Sequence, residues 1–229
     1  MGVRGALAAA IVVAGCGPGG GSAQDDPPVE VGSFSFVEEF SGGLGGWERQ
    51  RLDRRESSYS VTSEGGDQVL VGTAYNSASA VYRTLRSPAP VRARLSWRWK
   101  IAGSLALNDR ERTRGGDDYA ARVFVTFGDE PFGRRTRALS YVWAGTEPPG
   151  SQFRNPFRRE VATFVVRSGD GYANRWMTEQ RNLVADYEAA FGELPPPISG
   201  LAIVVDTDDT SSEAIAWFDD FRIEVEPRR

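Results

Sequence analysis

The feature that most constrains this chain is an alternation of apolar and polar residues with a period of two. It is clearest in VRARLSWRWKI, residues 91–101, where Val, Ala, Leu, Trp and Ile fall on one side and Arg, Ser and Lys on the other. Successive side chains of a β-strand point to opposite faces, so the pattern predicts a half-buried strand of an antiparallel sheet. The apolar face of such a sheet must be covered by a second layer.

The same alternation recurs along the chain, and clusters of Gly, Pro, Asn and Asp separate most of the segments. One short helix is predicted near 182–191, because Leu183, Tyr187 and Phe191 recur every four residues and Gly192 can end it. About ten strands and one helix, without alternating strand–helix units, predict an all-β fold, an antiparallel β-sandwich of the jelly-roll kind. The other predicted strands cover residues 58–63, 68–74, 78–85, 119–127, 138–144, 159–168, 175–180, 200–207 and 214–226.

The N-terminal residues predict a lipoprotein signal. Arg4 supplies an early positive charge, an apolar run covers residues 6–14, and Cys16 follows directly after Val-Ala-Gly. The run is too short for a permanent membrane helix, which needs about 20 residues. VAGC resembles the lipobox of bacterial lipoproteins, which are cut before the cysteine and lipidated on its sulfur. The alternative is an ordinary secretory signal with an unrelated cysteine.

The predicted organisation is a signal peptide over 1–15, a flexible tether over 16–33 and a single β-sandwich domain over 34–226. The tether is expected because its Gly, Pro, Ser and acidic residues cannot bury a core. The resemblance to lipoproteins implies the bacterial cell envelope, with the membrane as a partner. By the sorting rule of that class, Gly17 favours the outer membrane, facing the periplasm, in a bacterium with two membranes.

The composition excludes several kinds of catalytic site, metal site and partner. The sequence has no histidine, which excludes Ser-His-Asp and Cys-His catalysis and zinc sites built on imidazole. Cys16 is the only cysteine, so no disulfide forms within the chain. The net charge is −4 and no long basic run occurs, so nucleic acid is not an expected partner.

A concentration of charge at the start of a predicted core strand is the first candidate site. RGGDDYAARVFVTF places Asp117 and Asp118 at the mouth of the strand and Arg122 among its apolar residues. A buried guanidinium needs a carboxylate, because breaking such a pair costs about 3–5 kcal/mol. Asp206 and Asp208 follow the apolar run LAIVV, and antiparallel pairing of the two strands would bring them to Arg122. Arg122 is therefore expected to be more than half buried, with Asp117 and Asp118 at the rim.

Two interpretations of these five residues stay open. The first is structural: an Arg–Asp network, or a solvated acidic turn of the kind that Gly and Asp favour. The second is functional, because strand-end carboxylates can bind a cation or ligand hydroxyls. The candidate ligand-binding residues are Asp117, Asp118, Arg122, Asp206 and Asp208.

The tryptophans are further candidates, since flat aromatic faces stack on sugar rings. Trp97 and Trp99 lie on the apolar side of the long strand, where a core position is expected. Trp143 and Trp176 are the better candidates for an exposed sugar platform.

Four ordered motifs resemble the bacterial domain-of-unknown-function family 3047: SWRWKI, GGDDYAARVFVTF, LSYVW and PPPISGLAIVVDTDDT. The resemblance covers nearly all of residues 34–226. It implies a secreted or lipid-anchored β-sandwich and supplies no activity.

The two ends of the domain resemble a second group. FVEEFSGGLGGW near the start and AWFDDFRIEV at the end are similar to the bracketing segments of galactose-binding-like carbohydrate-binding modules. In those jelly rolls the first and last strands lie close together and often share a structural calcium. Carried over to this chain, Glu38 or Glu39 and Asp219 or Asp220 become candidate calcium ligands.

The second acidic pair also interrupts an apolar face. In AIAWFDDFRIEV, Ile215, Trp217, Phe221 and Ile223 share their parity with Asp219. The strand is therefore expected either to bulge there or to bury the acid against a cation.

These observations predict a lipid-anchored, non-catalytic binding module of the cell envelope, with a glycan as the leading ligand class. One alternative is a carboxylate-based enzyme acting on glycans, with Asp117, Asp118, Asp206 and Asp208 as the nominated acids. The other is a structural or assembly factor of the envelope. A deep cleft that contains two of these acids would favour the enzyme. A shallow groove with an exposed tryptophan would favour the glycan-binding module. A sandwich with a smooth surface would favour the structural role.

Overall fold

The computed structural model describes residues 33–105, 110–130, 133 and 135–228, and in them two β-sheets pack face to face. The predicted signal peptide, Cys16, Gly17 and the tether up to residue 32 lie outside the described residues. The strands are β1 (Phe34–Glu38), β2 (Glu48–Arg51), β3 (Ser58–Glu64), β4 (Asp67–Tyr75), β5 (Ala78–Thr84), β6 (Pro90–Ile101), β7 (Ala121–Phe127), β8 (Arg137–Ala144), β9 (Gln152–Arg154), β10 (Val161–Ser168), β11 (Met177–Asn182), β12 (Ile198–Asp206) and β13 (Glu213–Pro227).

One sheet has six strands in the order β11-β6-β13-β4-β3, with β1 also paired to β13. The other has seven strands in the order β2-β5-β12-β7-β8-β10-β9. Every pair is antiparallel except β8 with β10, which is parallel. The predicted antiparallel jelly-roll sandwich is confirmed with that one exception. The exception is possible because the long connection through β9 lets the chain return in the same direction.

The predicted helix is confirmed as α1 (Leu183–Phe191). Its first turn is capped by Asn182, whose side-chain oxygen accepts a hydrogen bond from the amide of Ala185 at 3.2 Å. It ends at Gly192, whose φ of 74° lies in the left-handed region that favours glycine. Tyr187 packs against Phe127 with their ring centroids 4.8 Å apart, which fixes the helix to the end of β7.

Aromatic side chains fill the space between the sheets. Trp97 and Trp99 are fully buried, as predicted, and they pack against Tyr141 and Trp143 with ring centroids 5.6 and 5.7 Å apart. The prediction of an exposed Trp143 is wrong: its side chain is 0 % exposed. It lies on β8, an inner strand whose residues from Ala138 onward are all buried. The alternation of residues along β8 could not predict the exposure of Trp143, because both faces of that strand are covered.

The seven-stranded sheet has apolar residues on both faces. Every residue of β7 and β12 is buried. Val123, Val125 and Ile203 belong to the main core between the sheets, whereas Phe124, Ala202 and Val204 belong to a separate cluster. Strands buried on both sides read as continuous hydrophobic runs, which explains LAIVV.

The last strand bulges at its acidic pair. The register between β13 and β6 shifts between Asp219 and Arg222, and Asp220 has a left-handed φ of 55°. The extra residue reverses the parity, so Phe218 and Phe221 both face the core while Trp217 lies on the outer face. The prediction that Ile215, Trp217, Phe221, Ile223 and Val225 share one apolar face is therefore wrong before the bulge and right after it. Ile215 and Trp217 are not buried, whereas Phe221, Ile223 and Val225 are.

The chain ends meet, as predicted from their similarity to the bracketing segments. β1 pairs with β13 in antiparallel register, and Glu38 lies opposite Phe221. The described residues include no helix with the length and apolarity to cross a membrane.

Candidate functional site

A shallow groove crosses the face of the seven-stranded sheet that points away from the other sheet. It encloses about 50 Å³. Its floor is apolar, because small residues such as Ala80 and Ala202 leave a depression beside the rings of Tyr82 and Phe124. Polar side chains also line the groove: Gln50, Thr126, Thr136 and Arg158. None of these groove residues was nominated from the sequence.

A second, smaller cavity of about 20 Å³ adjoins the groove, since Leu52, Phe124 and Val161 line both. Charged residues line its other side, and we call this part of the surface the acidic corner. It consists of Asp117, Arg122, Asp206, Asp208 and Asp209. The corner forms where β12 ends and β7 begins, because these strands are antiparallel neighbours.

Arg122 lies at the base of the acidic corner. It is 3 % exposed, which confirms its predicted burial. Its Nη2 donates to the backbone oxygen of Asp117 at 2.7 Å and to a carboxylate oxygen of the same residue at 3.1 Å. A carboxylate oxygen of Asp206 lies 3.4 Å away, so one of the two predicted cross-strand partners is confirmed. The other, Asp208, lines the same cavity and is not among the ion-pair partners found for Arg122 in the described residues.

The predicted rim position of Asp117 is wrong, since this residue is buried. The strand begins at Ala121, two residues later than predicted, and a short 3₁₀ turn over Arg114–Gly116 precedes it. The chain therefore curls back, and Asp117 reaches Arg122 from the same segment. Its second carboxylate oxygen accepts from the side-chain amide of Asn155 at 2.6 Å. The sequence analysis missed Asn155, although Asn-Pro is a recognised turn signal.

Asp118 is also buried, and it holds the turn after β12. Its carboxylate accepts hydrogen bonds from the amide of Asp209 at 3.3 Å and from the amide and hydroxyl of Thr210, both at 2.6 Å. Carboxylate oxygens of Asp118, Asp208 and Asp209 all lie within 4.8 Å of one another. Asp209 was not nominated from the sequence, although it belongs to the same DTDDT string.

The crowding of carboxylates changes their proton affinity. Burial and the charge of Asp118 raise the pKa of Asp208 to about 6. Burial, with the charges of Asp208 and Asp118, raises the pKa of Asp209 to about 7. Burial also raises the pKa of Asp206 well above its usual 3.8, while Arg122 opposes the shift. The acidic corner therefore holds protons more tightly than isolated aspartates would.

The predicted calcium ligands are held by other partners. Glu38 accepts from the indole of Trp47 at 2.9 Å and pairs with Arg83 at 3.2 Å. Both acids at the bulge pair with Arg98: Asp219 at 2.6 Å and Asp220 at 2.9 Å. Asp219 is buried at a bulge, which was one of the two expectations for an acid on an apolar face, and it pairs with the partly exposed Arg98.

Glu39 is exposed. The only group of three or more acids with ligand atoms at metal-binding spacing in the described residues is Asp118, Asp208 and Asp209, and none of the four predicted calcium ligands belongs to it. A structural calcium at the chain ends stays a prediction.

Trp176, the remaining sugar-platform candidate, is partly exposed on the outer side of the six-stranded sheet. Its indole donates to Glu64 at 3.3 Å, and the guanidinium of Arg98 lies 4.7 Å from its ring centroid. It is therefore not part of the groove, whose aromatic residues are Tyr82 and Phe124.

Solved structures similar to this chain include carbohydrate-binding modules. The family 11 module of cellulase Lic26A-Cel5E from Clostridium thermocellum is 9 % identical at a TM-score of 0.44, covering 87 % of this chain and 98 % of its own. The CBM22-1 xylan-binding domain of Paenibacillus barcinonensis Xyn10C is 15 % identical at 0.43, covering 85 % and 95 %. The K1 cleaved adhesin domain of Lys-gingipain from Porphyromonas gingivalis W83 is 10 % identical at 0.42, covering 86 % and 99 %.

No curated protein matches the sequence. A family described as "Protein of unknown function (DUF3047)" matches residues 45–222, which is more than half of the chain and includes all four motifs quoted above. The chain therefore belongs to the DUF3047 family.

Proposed function

We propose that this protein is a non-catalytic binding module and that it binds a glycan in the groove of the seven-stranded sheet. The observation that carries the proposal is the groove itself, an apolar floor containing Tyr82 and Phe124 with polar side chains around it. Sugar rings present apolar C–H faces together with hydroxyl groups. A concave site with a few converging polar groups on an apolar floor matches that chemistry.

The proposal includes attachment to the bacterial cell envelope through a lipid on Cys16. Phe34, the first residue of β1, lies opposite Val225 near the end of β13. Asp208 and Asp209 lie in the loop that leads into the start of β13 at Glu213. Twelve residues of extended chain separate these two points, a distance of roughly 40 Å at about 3.3 Å per residue. An anchor that precedes β1 would thus leave the acidic corner at the far end of the domain.

The test uses the full chain carrying Cys16→Ser, screened on a glycan array and then by calorimetry with the glycans that bind. Ala202→Leu fills the groove floor, and Ala102→Leu makes the same change at an exposed position in the bend that follows β6 of the other sheet. We expect Ala202→Leu to weaken binding by at least about tenfold, because it occupies the space of the ligand. Ala102→Leu should bind normally.

Melting temperatures of both variants control for misfolding. The proposal fails if no glycan binds, or if filling the groove in a folded protein leaves the affinity unchanged. An absence of glycan binding would favour a structural or assembly role.

A carboxylate-based glycan-active enzyme is a second candidate, favoured by one observation. Asp208 and Asp209 combine adjacent carboxyl groups with pKa values of about 6 and 7, which suits a general acid near neutral pH. The discriminating measurement is the appearance of new reducing ends when the protein is incubated with a glycan that it binds. Reducing ends that form with the wild type and not with Asp208→Asn plus Asp209→Asn would establish the enzyme.

A further inference from the structure

The acidic corner contains a buried hydrogen-bond donor that has no acceptor. The Nε of Arg122 is buried without a partner in the described residues, whereas Nη2 is held by Asp117. The side chain of Arg122 lines the 20 Å³ cavity. Six buried side-chain polar atoms lack a partner in the described residues, and Arg122 Nε is the one whose side chain lines the cavity of the acidic corner, where an acceptor from outside the chain fits.

Three carboxylates, two in the acidic corner and Asp118 beside it, already have hydrogen-bond partners within the protein. Asp117 binds Arg122 and Asn155, Asp118 binds the turn at Thr210, and Asp206 accepts from the amide of Tyr119 at 3.1 Å. These residues position the others. Asp208 and Asp209, in contrast, are partly exposed and line the mouth of the cavity.

The chemistry of the missing group follows from these surroundings. A metal cation cannot accept a hydrogen bond from the N–H of Arg122, and the guanidinium repels it. An anion would accept that hydrogen bond, but the negative charges of Asp208 and Asp209 would repel it. A neutral hydroxyl suits both the guanidinium and the carboxylates. Its oxygen accepts a hydrogen bond from Nε–H, and its own O–H donates one to a carboxylate. The cavity has room for one group the size of a water molecule.

We propose that the acidic corner is the subsite that recognises a hydroxyl group of the bound sugar. Arg122 Nε–H is the donor, and Asp208 and Asp209 accept from that hydroxyl and from its neighbour on the same ring. The inference rests on the proposed function, since the ring itself would lie on the adjoining floor at Leu52 and Phe124. It reassigns Asp117, Asp118 and Asp206 from ligand contacts to positioning residues and adds Asp209 to the contacts.

The experiment follows the Arg122 side chain directly by NMR. The full chain carrying Cys16→Ser is labelled with ¹⁵N, and the Nε–H signal of Arg122 is assigned by its loss in Arg122→Lys. The probes are the methyl glycosides of glucose, galactose, mannose and xylose, each with its monodeoxy analogues. We expect a sugar that shifts the Phe124 and Val204 amides to shift the Arg122 Nε–H signal as well. The analogue lacking the recognised hydroxyl should bind at least about tenfold more weakly and lose that shift.

Asp208→Asn with Asp209→Asn tests the acceptors, and Glu224→Gln with Glu226→Gln makes the same charge change on exposed residues of β13. The first pair should lose at least about tenfold in affinity, because each charged carboxylate is replaced by an amide with one weaker, neutral acceptor oxygen, and the second pair should not. A sugar that shifts the groove amides without moving the Arg122 signal overturns this inference and leaves the proposed function intact.

A calcium titration that shifts the Asp208 and Asp209 amides, with no sugar effect on Arg122, overturns it in favour of a cation site. No shift anywhere with any probe contradicts the subsite and the groove together. Retained sugar affinity in Asp208→Asn with Asp209→Asn likewise overturns the assignment of the acceptors.

Discussion

Arg122 illustrates what one buried cation requires of the residues around it. Two carboxylates pair with it: Asp117, from the turn before β7, and Asp206, from the end of β12. Its Cζ lies 4.3 Å from the ring centroid of Tyr119. Removing Arg122 would leave both of these buried carboxylates without their cation. The residues that shape the acidic corner are therefore also residues on which folding depends.

Arg122→Ala is expected to lower the free energy of unfolding by about 3–5 kcal/mol, because it leaves two buried carboxylates without their cation. Arg92→Ala is the matched control, since the Arg92–Glu226 pair has side chains that are 80 % and 60 % exposed. That change should cost less than about 1 kcal/mol. Urea unfolding at neutral pH measures both. Equal costs for the two variants would contradict the structural importance of the Arg122 network.

The raised pKa values of Asp208 and Asp209 make a prediction about pH. Their pKa values rise from 3.8 to about 6 and about 7 in the folded protein, so the folded state retains protons that the unfolded chain has lost. The stability that these two groups contribute is present below the unfolded pKa and is lost as pH rises through the folded values.

We therefore expect Asp208→Asn with Asp209→Asn to stabilise the protein by about 1–2 kcal/mol at about pH 8, a figure that allows for the partial solvation of both side chains. Near about pH 4 the gain should disappear, because the wild-type carboxyls are then protonated in the folded state. Thermal unfolding of the wild type and of the double variant at both pH values measures this difference in stability. A gain that is the same at both pH values would show that the two carboxyls do not titrate as described.

At the scale of secondary structure, single residues decide how strands pack. The extra residue at Asp220 changes the parity of β13, so Phe218 before the bulge and Phe221 after it both face the core. On β4, Gly72 allows close approach to the other sheet: a Cβ at this position would lie 2.6 Å from a methyl carbon of Val205 on β12. The two sheets can approach each other closely at this point because Gly72 has no side chain.

Gly72→Ala should lower the free energy of unfolding by about 1–3 kcal/mol, because the new methyl group overpacks the contact with Val205. Gly42→Ala is the control: a Cβ there meets nothing within 4 Å, and the variant should stay within about 1 kcal/mol of wild type.

Adding Val205→Ala to Gly72→Ala removes the clashing methyl groups. The double variant should therefore be more stable than the sum of the single effects by about 1 kcal/mol. Additive effects in a denaturant cycle would show that the clash lies elsewhere.

For the whole molecule, the pairing of β1 with β13 fixes where any N-terminal anchor attaches. The first described strand enters beside the last one, so the two termini of the domain share an end of the six-stranded sheet. The groove lies on the outer face of the other sheet. A lipid on Cys16 would thus tether the domain without covering its proposed binding face.

Wild-type protein expressed in a bacterial host should incorporate labelled fatty acid and fractionate with membranes, because Cys16 directly follows the VAG segment. Cys16→Ser should do neither. Labelling of both proteins, or of neither, would contradict the lipid anchor and leave the sandwich and its groove unaffected.

The sequence by itself determined the elements of this protein. Alternation at a period of two located most of the strands, and the apolar repeat of Leu183, Tyr187 and Phe191 with Gly192 located the helix α1. Period and capping are local properties, so they can be read without knowing which strands are neighbours. The burial of Arg122 and its pairing with Asp206 were also predictable, because a cation within an apolar strand requires a partner.

Only the tertiary structure decided which faces met. The short strands β2 and β9 lack an alternating pattern, and Trp143 on β8 is buried because it faces the space between the two sheets, where it packs against Trp99. The groove combines positions from six strands that are distant in sequence. Asn155 and Asp209 joined the acidic corner through a turn and a loop. Such contacts depend on strand order and on a single bulged residue, and neither leaves a periodic signal in the chain.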